Sequence, residues 1–97
     1  MATFIALIDW TEQGVKGFRE SVDRYEAARD GFERMDVSLT QVYWTLGEHD
    51  IVAVAEAADE ESMAAATLTL AAQGNLRTTT MRAFTADEMR AVIARTG

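Results

Sequence analysis

Apolar residues recur along this chain with two different spacings, and the spacings divide it into strands and helices. Residues 3–10 and 50–57 place apolar side chains on both faces of an extended strand. Residues 37–46 and 75–84 also alternate, but they carry more polar side chains. The pattern therefore predicts four strands, and it predicts that the first and third are covered on both faces.

A helical stretch, residues 11–35, separates the first two strands. Gly14 and Gly17 predict a weak or kinked start, because glycine disfavours a helix interior. Ser21 is the predicted N-cap of the firmer part that follows. Spacings of three and four then predict one inward face, made of Val22, Tyr25, Ala28, Phe32 and Met35.

Two further helices carry clearer boundary signals. Asp59 is the predicted N-cap of the second helix, and Gly74 is predicted at the C′ position that ends it. Thr85 and Glu88 form a predicted capping box that opens a terminal helix. The predicted inward residues are Met63, Ala66 and Leu70 in the second helix, and Met89, Val92 and Ile93 in the terminal one.

The element order is β-α-β-β-α-β followed by one helix, which is the ferredoxin-like α+β pattern. Right-handed crossovers then give a four-stranded antiparallel sheet in the order 4-1-3-2. Strands one and three fall in the centre, in agreement with their apolar character, and the more polar strands fall at the edges. We expect residues 1–97 to form a single domain.

Both long helices of this fold lie on one face of the sheet, which leaves the other face open. Because the central strands are apolar on both sides, we expect a second copy of the chain to cover the open face, giving a dimer or a higher homo-oligomer. The alternative is that the terminal helix folds back over that face. Its three large apolar residues are few for so large a surface.

Composition narrows the classes of partner. Nine Lys and Arg against 16 Asp and Glu give a net charge of −7, which repels nucleic acids and anionic membranes. The absence of Cys and the single histidine, His49, predict no disulfide, no metal site and no bound cofactor. Without a basic leader or an apolar run of about 20 residues, we expect a soluble cytoplasmic protein with no membrane partner.

The predicted topology brings the end of strand one, the hairpin between strands two and three, and the start of strand four to one end of the sheet. An aromatic ring, an imidazole, a carboxylate, an amide and a guanidinium near one another are suited to a small polar or anionic ligand. The candidate ligand-binding residues are Trp10, Tyr43, His49, Asp50, Asn75 and Arg77.

Structural roles compete with that interpretation. Asp50 can shape the hairpin turn, Arg77 can pair with Asp50 or another carboxylate, and Trp10 can pack in the core or an interface. His49 at a turn is compatible with simple exposure. In strand two, alternation sends the ring of Tyr43 to one face and that of Trp44 to the other.

Three segments, residues 9–14, 43–53 and 74–84, make the chain similar to the GYD domain family of small bacterial proteins. They read Asp-Trp-Thr-Glu-Gln-Gly, Tyr-Trp-Thr-Leu-Gly-Glu-His-Asp-Ile-Val-Ala and Gly-Asn-Leu-Arg-Thr-Thr-Thr-Met-Arg-Ala-Phe. The resemblance implies a ferredoxin-like fold and no particular chemistry. At the triplet that names the family, Gly47, His49 and Asp50 stand here where a Gly, a Tyr and an Asp are expected.

No phosphate loop, nucleophile elbow or His-Glu-x-x-His pair is present. The sequence therefore favours a small oligomeric ligand-binding or interaction module without catalysis. The alternative is an enzyme of the dimeric α/β-barrel type, in which Tyr43, His49, Asp50 and Arg77 are the candidate polar groups. A third possibility is an assembly subunit that extends a ring through its edge strands, against which the edge charges of Arg77 and Arg82 argue.

Overall fold

A computed structural model describes all 97 residues, and its elements follow the predicted order. A short helix and a 3-10 turn precede the first long helix, as the two glycines indicated. The elements are β1 (Ala2–Trp10), α1 (Glu12–Lys16), a 3-10 turn (Phe18–Glu20), α2 (Ser21–Glu33), β2 (Val37–Trp44), β3 (Ile51–Ala57), α3 (Glu60–Ala71), β4 (Leu76–Ala83) and α4 (Ala86–Ala94).

The four strands form one sheet in the order β2-β3-β1-β4, with every neighbouring pair antiparallel. This is the predicted order 4-1-3-2, so the ferredoxin-like α+β fold is confirmed. β1 lies between β3 and β4, which places Leu7 opposite Val52 on one side and Thr79 on the other. The strands run one to two residues shorter than predicted at the hairpin, where β2 ends at Trp44 and β3 begins at Ile51.

One face of the sheet packs beneath α2 and α3. Its buried side chains are small at the centre, where alanines predominate, and larger near one end, where Phe4 meets Phe32 and Met63. Only 13 of the 97 residues are buried, so the core is thin for a chain of this length. The buried apolar residues are Phe4, Ala6, Ile8, Phe32, Val37, Ile51, Ala53, Ala55, Ala57, Met63 and Ala66.

The opposite face of the sheet has no helix over it, and we call it the open face. Strand alternation and the pairing register assign its side chains. None of them is fully buried. They are Thr3, Ile5, Leu7 and Asp9 from β1, Ser38, Gln41 and Tyr43 from β2, Val52, Val54 and Glu56 from β3, and Arg77, Thr79, Met81 and Ala83 from β4.

A β-bulge at Thr40 changes which residues of β2 face the helices. The register passes from Leu39, opposite Ala55, directly to Gln41, opposite Val54. Because one residue is extra, the alternation reverses at that point. Val42 and Trp44 therefore join the helix-covered side, and Tyr43 falls on the open face.

The start of α2 differs from the prediction in two respects. Ser21 is the first helical residue and caps nothing; its hydroxyl accepts a hydrogen bond from Trp44 Nε1 at 2.8 Å. Val22 is 55% exposed, so the prediction that it faces inward is wrong. Arg24, on the turn after Ser21, turns in to donate to the carbonyls of Gly14 and Gly17.

The N-caps of α3 and α4 are as predicted, whereas Gly74 stands one position beyond the predicted C′. Asp59 accepts from the backbone N–H of Ser62 at 2.7 Å, and Thr85 and Glu88 make both bonds of a capping box. Gly74 adopts the left-handed conformation with φ +83°, although it lies two residues beyond the C-cap of α3 at Ala72.

The terminal helix α4 does not cover the sheet. Its predicted inward residues Met89, Val92 and Ile93 are 45, 38 and 56% exposed, and the helix buries no residue, so that prediction is wrong. α4 is joined to the sheet at its first turn, where Glu88 Oε2 lies 4.0 Å from Arg82 Nη2 of β4. No helix of the structure has the length and apolar character that crossing a membrane requires.

Candidate functional site

The end of the sheet where β1 finishes joins the three segments that the topology was predicted to bring together. Asp50 N–H donates to Ile8 O at 3.0 Å, and Trp10 N–H donates to the Asp50 carboxylate at 2.9 Å. Thr11 N–H donates to Asn75 O at 3.0 Å. Asp50 therefore holds the end of β1 against the hairpin, which is a structural role.

Helix α1 is fixed to the loop before β4 by side chains as well. The Thr11 hydroxyl donates to Gly74 O at 2.6 Å and accepts from Gly14 N–H at 3.0 Å. The Gln13 amide donates to the Asn75 side-chain oxygen at 2.9 Å. A Cβ on Gly14 would come within 1.9 Å of Asn75 O, so only glycine allows this approach. Asn75 is thus part of a junction between two elements.

His49 pairs with Asp9, a residue that the sequence reasoning did not single out. His49 Nδ1 lies 3.2 Å from Asp9 Oδ1, and both side chains are about 30% exposed. Asp9 points to the open face because successive residues of a strand point to opposite faces and Trp10 points to the helix-covered side. The same alternation could have predicted the position of Asp9 from the sequence. This contact uses Nδ1 and leaves Nε2 as the ring nitrogen without a partner in the protein.

Tyr43 and Arg77 also lie on the open face. The ring of Tyr43 is 57% exposed, and Arg77 is exposed and forms no ion pair. The suggested pairing of Arg77 with Asp50 is therefore wrong, because the Asp50 carboxylate is used by the backbone of Trp10. Trp44, as expected for the neighbour of Tyr43, packs under α2, edge-on to Tyr25 with ring centres 5.8 Å apart.

The six predicted site residues therefore divide between two sides of the sheet. His49, Tyr43 and Arg77 belong to the open face, whereas the side chains of Trp10 and Asn75 line a cavity on the helix-covered side. We call this space, between the sheet and α2 and α3, the inner cavity; it encloses about 70 Å³. No single pocket contains all six side chains, because Asp50 and the backbone of β1 stand between the two groups.

Backbone and side-chain hydrogen bonds and the His49–Asp9 pair are the polar interactions at this end of the molecule. No three His, Cys, Asp or Glu side chains are grouped to hold a metal ion. The clearest pKa changes lie at helix N-termini: the pKa of Asp59 is lowered by the backbone N–H of Ser62, and that of Glu88 by the backbone N–H of Thr85. Both reflect capping, since the charged carboxylate accepts the bond more strongly than the neutral acid does.

Known proteins resemble this chain over most of its length. A Thermus thermophilus protein named "Glutamine synthetase and cystathionine beta-lyase binding protein" is 34% identical over 85 residues, covering 87% of this chain and 90% of that protein. The crystal structure of TTHA0845, also from Thermus thermophilus, superposes with a TM-score of 0.58 at 23% identity, covering 89% of this chain and 96% of that one, and this likeness supports the fold.

The GYD domain matches residues 4–93, which includes all four strands and the junction at the end of β1. The three segments that carried the resemblance are the ones that meet there: residues 9–14 contact both the hairpin and the start of β4. With a match over nearly the whole chain, this protein belongs to the GYD domain family.

Proposed function

We propose that this protein is a non-catalytic interaction module that works as a homodimer, with two copies packed through their open faces. The observation that carries the proposal is the apolar centre of the open face. Cross-strand neighbours place Ile5 beside Val54 and Met81, and Leu7 beside Val52, so these side chains form one continuous surface. Water contact with such a surface is unfavourable by roughly 25 cal/mol for each Å².

The accessible surface of the single chain supports the same proposal. It amounts to 6454 Å², whereas a compact monomer of 10.7 kDa exposes about 5,500 Å². The excess of roughly 900 Å² is close to the about 800 Å² that each partner buries in a specific interface of standard size. The chain thus exposes more surface than a compact monomer of the same mass, and the difference is about the area that one partner buries in a standard interface.

Helix α4 supplies part of the area that a stable dimer needs. Four strands at spacings of about 4.8 Å, each about seven residues long, give a sheet face of only roughly 450 Å² in projection. Met89, Val92 and Ile93 add exposed apolar side chains on α4, a helix that buries none of its residues. We therefore include the apolar side of α4 in the proposed interface.

Charge favours a second copy as the occupant of the open face. The chain carries −7 overall, so two copies repel each other through most of their surfaces. The open face carries few charges by comparison: Asp9 is paired with His49 and lies opposite Arg77 across β1 and β4, and Glu56 is its other carboxylate. Two open faces can therefore meet without adding to the repulsion.

The interface is tested by placing a charge at its centre. We expect Leu7→Glu to convert the dimer to a monomer, because two buried and unpaired carboxylates are costly. The matched control is Leu68→Glu, on the solvent side of α3, where the side chain is 70% exposed and the substitution should leave the mass unchanged. Sedimentation equilibrium gives the mass, and far-ultraviolet circular dichroism confirms that both variants are folded. A dimeric Leu7→Glu variant would exclude the open face as the interface.

We further propose that the dimer binds a metabolic enzyme. The support is the Thermus relative, whose name states that it binds glutamine synthetase and cystathionine beta-lyase. This chain offers exposed apolar side chains outside the open face, on successive turns at its N-terminal helices: Val15, Phe18 and Val22. Exposed aromatic and branched residues of this kind anchor many protein interfaces.

Purified glutamine synthetase and cystathionine beta-lyase from the organism that encodes this chain are the partners to test. We expect one of them to co-migrate with the wild-type protein in sedimentation velocity. Phe18→Ser should weaken the binding at least about tenfold if Phe18 is an anchor, whereas Leu68→Ser should not. Failure of both enzymes to bind would reject this part of the proposal and leave the homodimer untouched.

A further inference from the structure

The inner cavity lies where α2 and α3 fail to close over the middle of the sheet. Its floor is made by small and aliphatic side chains, among them Ala6, Ile8 and Ala53, and its roof by Ala28 and Leu70. A single water requires about 10–15 Å³ on the same measure, so about 70 Å³ holds several waters or one small organic molecule. A space of this size under two helices is unusual in a domain with so small a core.

Trp10, one of the residues that line the inner cavity, carries a polar atom that the protein leaves unsatisfied. The indole N–H of Trp10 is buried and has no hydrogen-bond partner, and Trp10 lines the cavity. An indole N–H can only donate, so the group that satisfies it must be an acceptor. The Thr80 hydroxyl is likewise buried and unpaired, and Thr80 also lines the cavity, but its backbone lies beside Ala6, about 13 Å along the strands from that of Trp10.

A second space adjoins the inner cavity between the two helices. An outer cleft of about 280 Å³ lies between α2 and α3. The cleft and the inner cavity share five lining residues, so the two spaces are adjacent. The shared residues are Arg24, Ala28, Phe32, Leu70 and Gln73.

The charges around the cavity select for an uncharged occupant. Arg24 is the one ionic side chain in its lining, and its guanidinium already donates to the carbonyls of Gly14 at 3.1 Å and Gly17 at 2.9 Å. No carboxylate lines the space, so an ammonium group would find no counter-charge. An anion would also enter a protein of net charge −7.

We infer that the inner cavity binds a small, uncharged, largely apolar molecule whose carbonyl-type oxygen accepts a hydrogen bond from Trp10 Nε1. The apolar walls hold the body of the molecule, and the indole N–H fixes its orientation. This site lies on the helix-covered side of the sheet, away from the open face, so it does not depend on the proposed dimer. Of the six residues of the predicted polar site, Trp10 and Asn75 line this cavity.

Acetophenone and α-methylstyrene form a matched pair of probes, because they share a shape and differ in a carbonyl oxygen against a methylene group. The indole N–H signals of the protein, followed by ¹H–¹⁵N NMR during each titration, report binding at Trp10. Trp10→Phe assigns its signal. We expect acetophenone to shift the Trp10 signal saturably and to bind about two- to tenfold more tightly than α-methylstyrene, the range that one net hydrogen bond gives. In Trp10→Phe, followed through backbone amides, this preference should disappear.

Variants at the entrance separate the cavity from surface binding. Ala28→Leu fills the passage between α2 and α3 with a good helix former and should abolish the titration. Ala64→Leu, on the exposed side of α3, lines neither space and should bind as the wild type does. No saturable shift up to the solubility limit of acetophenone would show that the cavity holds water only and would overturn the inference, as would unchanged binding in Ala28→Leu. Sedimentation of the same samples reports the dimer separately.

Discussion

Gly14 shows at the scale of one residue how the sheet end is assembled. The sequence suggested only that this glycine weakens a helix, but the Asn75 carbonyl lies where its Cβ would be. We expect Gly14→Ala to lower the free energy of unfolding by about 1–3 kcal/mol, because the clash is with backbone that cannot turn away. Chemical denaturation measures the change.

Gly31→Ala is the control for that substitution. Gly31 is inside α2, and the nearest atom to an added Cβ is Arg34 Nη2 at 4.0 Å. Alanine should therefore stabilise the protein there by about 0.5–1 kcal/mol through helix propensity. If both alanine variants change stability in the same direction, the close approach of α1 to Asn75 is not a determinant of the fold.

Single residues were also where sequence reasoning reached its limit. The bulge at Thr40 can be recognised in the sequence, because the apolar positions Leu39 and Val42 are three apart in a strand that otherwise alternates. Ser21 has the composition of an N-cap, but its hydroxyl is taken by Trp44, which is distant in sequence. Pairings of this kind, like that of His49 with Asp9, depend on how distant segments align in the folded chain. The spacing of residues along the sequence therefore does not predict them.

At the scale of elements, the contact between Trp44 and Ser21 joins α2 to the edge strand β2. The bond is 2.8 Å long, and Ser21 is buried. We expect Trp44→Phe and Ser21→Ala each to destabilise the protein and the double variant to cost less than their sum, with a coupling of about 1 kcal/mol. A double-mutant cycle by thermal or chemical denaturation measures it; additive effects would show that the bond contributes nothing.

The helix caps predict a specific dependence on pH. The pKa of Asp59 lies below its ordinary value of 3.8, so the charged carboxylate stabilises the folded state. That contribution is complete above the ordinary pKa and is lost as the pH falls through the folded-state pKa. Asp59→Asn keeps a capping oxygen without the charge, so it should be less stable than the wild type at about pH 7 and equal to it at about pH 2.

Urea denaturation at several pH values measures this gap. Glu48→Gln, in the exposed hairpin and outside any helix N-terminus, is the control and should show no such convergence. A gap between the wild type and Asp59→Asn that stays constant down to about pH 2 would contradict the capping role of the Asp59 charge.

Elements were predicted best where local signals and burial agree. The caps at Asp59 and Thr85 and the order of the strands follow from residue type and periodicity, and the structure has them. The position of α4 could not be predicted from the sequence, because an amphipathic pattern shows that a helix has an apolar side but not which surface covers that side. The sequence alone therefore placed Met89, Val92 and Ile93 against a core that this chain does not provide.

The whole molecule is more extended than its length requires. Its radius of gyration is 14.5 Å, against about 12.5 Å for a compact domain of 97 residues, and its longest dimension is 51 Å. The thin core, the uncovered apolar face of the sheet and the terminal helix that buries no residue account for these extended dimensions. Each is explained if the folded unit is a pair of chains, in which the open face and α4 become interior.

Sedimentation equilibrium of the wild-type protein tests this central claim most directly, over protein concentrations from about 1 μM upward. The account predicts a mass of about twice 10.7 kDa across that range, with the dimer lost only when Leu7 is replaced by Glu. A constant mass of 10.7 kDa would contradict it, and would mean that the apolar open face is tolerated in water by a monomer.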